Sequence, residues 1–89
     1  MRVQVTADDI VHGVRRNMCE CPVARALRRA YGSELGVGYG YIIHVPSRAY
    51  LDLTPDDVTA FIRTFDMGDA VHPFEFELDL TSQLAALPE

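Results

Sequence analysis

The chain has 89 residues, 48% of them hydrophobic, and a net charge of −5. That composition excludes a disordered chain and bounds the protein to one domain, 1–89, whose core is small: at this size only about 60–65% of the unfolded surface is buried. The acidic balance argues against non-specific nucleic-acid binding, which needs a basic surface to neutralise phosphates. All eight basic residues are arginine.

Arg2-Val-Gln-Val-Thr6 alternates polar and apolar and predicts a short strand with Val3 and Val5 inward. Thr6 stands three residues before Asp9, a capping-box variant with Asp in place of Glu, so a short helix through Ile10 and Val11 to Gly13 is expected. Val14 to Glu20 has no period and reads as a loop carrying Arg15, Arg16, Asn17 and Cys19.

The central element is the helix predicted from Pro22 to Tyr31. Proline suits the first helical position, and Gly32 suits the left-handed position that ends a helix. Val23, Ala26, Leu27 and Ala30 fall at i, i+3, i+4, i+7, a narrow stripe able to lie close to a sheet. Arg25, Arg28 and Arg29 share another face. That face reads as a solvated surface or, functionally, as a site for an anion.

Ser33 to Gly36 is expected to be a connector and Val37 to Val45 one strand, with Val37, Tyr39, Tyr41, Ile43 and Val45 on one face. Gly38 and Gly40 on the other face predict tight helix packing or a close ligand. Pro46-Ser-Arg48 is a turn and Ala49 to Leu53 a return strand. Thr54 as N-cap and Pro55 at the first helical position start a helix. Its stripe of Val58, Phe61, Ile62 and Phe65 is the strongest in the chain. Gly68 ends it. Phe74 to Leu80 has a strict period of two, with Phe74, Phe76, Leu78 and Leu80 on one face. Thr81 to Glu89 is a tail of weak helical character.

The order is β-α-α-β-β-α-β. It predicts an α+β fold: a small, mostly antiparallel sheet of about four strands, packed on one face by helices.

Cys19-x-Cys21 lacks the Cys-x2–4-Cys spacing and the second ligand pair of a zinc site, so no metal is assigned. Cys21, at a helix N-terminus beside arginines, is a possible reactive thiol. No nucleophile, base and orienting acid share a spacing, so catalysis and cofactors are not expected. Aromatic and guanidinium groups together can stack a base and hold its phosphate. Arg15, Arg16, Arg25, Arg28, Arg29, Tyr39 and Tyr41 are therefore the candidate binding residues. No apolar run approaches the ~20 residues of a membrane span, so no membrane partner is expected. The first ten residues, with Arg2, Asp8 and Asp9, resemble no signal peptide, and a cytoplasmic location with reduced thiols is expected.

Val3-x-Val-Thr6, Ile10-x-x-Gly13, Cys21-Pro-Val-Ala24-x-Ala-Leu27, Phe61-Ile62, Phe65-Asp66-x-Gly68 and Pro73-Phe-Glu-Phe-Glu-Leu78 run over nearly the whole chain. In these the sequence resembles a family of small uncharacterised phage and prophage proteins, of the kind that actinobacteriophages carry. The resemblance implies a non-structural accessory protein and carries over no catalytic residues. The expected function is thus binding of a host component, carried out as a homodimer because a marginal core gains from pairing. A small nucleotide-like anion is the alternative ligand, and nucleic acid on the arginine face a third.

Overall fold

A computed structural model describes residues 2–51 and 55–87. It is a small α+β fold with four helices and two antiparallel sheets. The strands are β1 (Arg2–Val5), β2 (Leu35–Gly38), β3 (Tyr41–His44), β4 (Ala49–Tyr50) and β5 (Phe74–Glu77). The helices are α1 (Ala7–His12), α2 (Pro22–Tyr31), α3 (Asp56–Asp66) and α4 (Thr81–Ala86). Among the described residues no helix is long and apolar enough to cross a membrane.

The single four-stranded sheet expected from the sequence is divided. Among the described residues β1 pairs only with β5, Val3 opposite Phe76 and Val5 opposite Phe74. β2, β3 and β4 form the other sheet. What joins them is α2, which packs on both β1 and β2. The expected apolar stripe makes the join: Val23, Ala26 and Leu27 are buried, and Ala30 packs at the edge of the same core. Small residues let the helix approach two strands at once. The helix is bounded as predicted, by Pro22 and by Gly32 in the left-handed region at φ 69°.

The largest departure is at Val37 to Val45, which is a hairpin and not one strand. Tyr39 and Gly40 make the turn, and Gly40 takes φ 91°, a conformation glycine adopts without a Cβ clash. Two residues spent in a turn reset the alternation. Val37 therefore shares its face with its cross-strand partner Ile42, and both are buried, while Ile43 is only half-buried. Gly38 makes room for the Tyr41 ring opposite, with which a Cβ would collide. The connector before Val37 is also strand, since β2 starts at Leu35.

The turn through Pro46 to Arg48 closes as expected, with Arg48 N–H donating to the His44 carbonyl at 2.8 Å. The return strand is short, Ala49–Tyr50; the expected end at Leu53 and the expected N-cap Thr54 lie outside the described residues. Pro55 stands one residue ahead of α3 rather than inside it. Val58, Ile62 and Phe65 are buried as the stripe predicts. Phe61 is half-buried and packs its ring 4.6 Å from that of Phe74. The period-two burial of 74–80 holds through Leu80, although the paired strand ends at Glu77. Tyr31 fixes this end: its hydroxyl donates to the Leu78 carbonyl and accepts from Leu80 N–H.

Leu27, fully buried where α2 spans the two sheets, is the test of this arrangement. Leu27→Ala should lower unfolding free energy by about 2–5 kcal/mol in urea denaturation. A loss well below that would show that α2 does not seal both sheets.

Candidate functional site

The three arginines of α2 are engaged within the fold. Arg29 makes a bidentate pair with Asp9, at 2.9 Å to Oδ1 and 2.7 Å to Oδ2, and donates a third bond to the Gln4 carbonyl of β1 at 2.9 Å. Arg25 lies 3.6 Å from Asp9 and 3.8 Å from Asp8. Arg28 forks onto Glu20 at 3.1 and 3.2 Å and holds that carboxyl below its ordinary range. The face expected to meet an anion or solvent meets the protein's own carboxylates. Those partners lie on α1 and in the loop before α2, out of reach of any helical spacing rule.

Asp9 is the buried member of this network, its side chain only 1% exposed. It also completes the predicted capping box: Thr6 N–H donates to Asp9 Oδ2 at 3.0 Å, and Asp9 N–H donates to Thr6 Oγ1 at 3.2 Å. Burial alone would raise the Asp9 carboxyl. The hydrogen bonds from Arg29 and Thr6, with the Arg29 charge, outweigh burial and hold it below the usual carboxylate range.

The remaining candidates gather elsewhere. The loop 13–21 is folded on Asn17, whose side-chain Oδ1 accepts the N–H groups of Cys19 and Glu20 at 3.0 and 3.1 Å. Met18 carbonyl accepts Val37 N–H at 2.8 Å, so the loop lies against β2. Arg16 N–H donates to Asp66 Oδ1 at 2.9 Å, so the loop also lies against the end of α3. Tyr39, on the β2–β3 turn, donates its hydroxyl to Asp66 Oδ2 at 2.5 Å. The Arg63 guanidinium stands 5.1 Å from the Tyr39 ring centre.

Between loop, hairpin and α3 opens a cleft of about 470 Å³. Val37, Ile62, Cys21 and Tyr41 give it an apolar floor, and Arg16, Met18, Tyr39 and Asp66 stand around it. Four predicted residues thus meet here: Arg16, Tyr39 and Tyr41 of the binding candidates, and Cys21. Arg15 is adjacent, since a Cβ placed on Gly68 would be 3.5 Å from its Cζ. Asn17, Met18 and Asp66 line the site and Arg63 lies over its Tyr39 ring, and none of the four was among the candidate binding residues. Only Asn17, a turn-forming residue in an aperiodic segment, carried a local signal.

Burial opposes the thiolate chemistry that the position of Cys21 suggests. Cys21 is the N-cap of α2, its sulfur accepting Ala24 N–H at 3.4 Å, and it is buried. Burial pushes the thiol up and outweighs the favourable N–H groups of Ala24 and Val23. Among the described residues no three His, Cys, Asp or Glu side chains stand together to hold a metal ion.

No protein-family model, curated protein or solved structure matches this chain.

The sign of the Asp9 contribution follows from its depressed carboxyl. Between the folded and unfolded values the unfolded chain binds the proton and the fold does not, so stability rises with pH there. The contribution is whole above about pH 4 and is lost as the pH falls through the folded value. Arg29→Met strands the carboxylate, with Arg25 and the Thr6 N–H as its residual support. At pH 7 it should cost about 3 kcal/mol. That deficit should shrink as the pH is lowered towards about 4, because protonation then relieves Asp9. Urea midpoints across pH measure both effects, and a deficit independent of pH would remove Asp9 as its origin.

Proposed function

We propose that this chain is a binding protein and not a catalyst, and that it works by docking a protein partner over the cleft between loop 13–21, the β2–β3 turn and the end of α3. One observation carries the reading: exposed large apolar side chains border an apolar floor there. Tyr39, 49% exposed, and Met18, 37% exposed, line the cleft, and the exposed Met67 and Val14 are chain neighbours of Asp66 and Arg15. The contacts of Arg16 and Tyr39 with Asp66 bring their three segments to one face. Contiguous apolar side chains rimmed by polar groups are the usual mark of an interaction surface. The resemblance to phage accessory proteins supplies the rest of the proposal, a host protein as partner and the host cytoplasm as its setting. A homodimer through the same face belongs to the same reading, since a short chain gains stability by covering it.

A nucleotide-like small anion is the second reading. The cleft volume, about 470 Å³, falls among those of small-ligand pockets. Nucleic acid on α2 has less behind it, because Arg25, Arg28 and Arg29 would have to leave Asp9 and Glu20 to reach phosphate.

Affinity capture from a bacterial host lysate should retain one specific protein on the wild type. Met18→Glu, which alters an exposed side chain lining the cleft, should melt like the wild type and lose that protein. Identical captures by the two would contradict docking at this face.

A further inference from the structure

The fold divides its arginines into two sets. Arg2, Arg25, Arg28 and Arg29 each stand within 4.0 Å of a carboxylate. Arg15, Arg16, Arg48 and Arg63 do not, among the described residues; Arg48 stands on the β3–β4 turn, and the other three lie at or beside the cleft. Arg16 lines it, Arg63 lies over the Tyr39 ring, and Arg15 stands beside Gly68. The one carboxylate lining the cleft is Asp66, and both its oxygens already accept bonds, from Arg16 N–H and the Tyr39 hydroxyl. Asp66 keeps its negative charge, but three guanidiniums stand against it, so a chain of net charge −5 presents a net basic rim at its apolar cleft.

Arg16 has φ 58°, in the left-handed region that non-glycine residues rarely occupy and that Arg48 on the β3–β4 turn shares. Such strain persists only where surrounding structure imposes it. Here the bond from Arg16 N–H to Asp66 holds the backbone in place and leaves the side chain at the rim.

We infer that the occupant of the cleft is an acidic protein segment, one apolar side chain seated on Val37, Ile62 and Tyr41 and flanking carboxylates on Arg15, Arg16 and Arg63. This inference rests on the protein-docking reading above and specifies its partner. A compact phosphate would engage the rim and leave the apolar floor empty, whereas such a segment uses both. The net charge of the chain disfavours acidic partners, so the guanidiniums of the rim orient the approach.

Short fluorescent peptides test this by anisotropy with the full chain. One carries a central Phe flanked by Glu, one has Lys in place of Glu, and one has Ser in place of Phe; ATP serves as competitor. The Glu–Phe peptide should bind about tenfold or more tightly than either control, and more weakly as salt rises. Arg16→Gly removes a rim charge and suits the left-handed backbone, so it should weaken binding while leaving the melt unchanged or raised. Arg15→Gln/Arg63→Gln should weaken binding further. Equal binding of the Lys peptide would overturn the acidic partner and leave docking standing. Equal binding of the Ser peptide would overturn the apolar anchor. Displacement of the peptide by ATP would return the cleft to the small-anion reading. No binding by any peptide would overturn the inference, while the capture experiment judges docking separately.

Discussion

One buried carboxylate holds this small fold in register. Asp9 caps the helix it sits in, receives the forked guanidinium of Arg29 from α2, and through that same arginine is joined to the Gln4 carbonyl of β1. Three elements meet on one side chain. α1 has six residues, too few to be stable as a helix in water by itself, so it depends on this anchorage. α2 depends on it for its rotation. With Arg29 turned to Asp9, the Val23, Ala26 and Leu27 stripe faces both sheets, and α2 becomes the bridge between two sheets that do not pair with each other.

The same rotation decides what is left for function. Fixing α2 commits its arginines to carboxylates inside the fold and brings the preceding loop across to β2 and α3. Asn17 shapes that loop, and Asp66 receives it. The cleft is the space that remains between them, floored by side chains belonging to the core and rimmed by guanidiniums the core did not use. Recognition at such a site has two parts: apolar burial, which supplies affinity, and charge, which supplies orientation and selectivity.

Much of the fold was legible because its signals are local. Thr6 with Asp9, Pro22 with Gly32, the stripe of α3 and the alternation from Phe74 to Leu80 each involve residues a few positions apart, where spacing determines geometry. The hairpin was not legible, since Tyr39-Gly40 lies within an unbroken run of strand-forming residues and nothing there marks a turn except a glycine equally explicable as a packing gap. The division into two sheets was hidden for another reason. β1 and β5 join opposite ends of the chain, and no periodicity records which strands pair. The site was half legible. Arg15, Arg16, Tyr39 and Tyr41 stood out by residue type, but Arg25, Arg28 and Arg29 stood out equally, and only the positions of Asp9 and Glu20 separate the two groups. Cys21 shows the same limit: a helix N-terminus favours a thiolate, and burial, which is a tertiary property, reverses the preference.

Arg25, Arg28 and Arg29 are committed to carboxylates within the fold, and Arg15, Arg16 and Arg63 are not. Urea denaturation of single Arg→Gln variants at 25, 28 and 29, run beside those at 15, 16 and 63, tests this division most directly. Midpoints should fall in the first set, furthest for Arg29→Gln, and change within about 0.5 kcal/mol in the second. Equal losses in the two sets, or an Arg29→Gln variant as stable as the wild type, would contradict it.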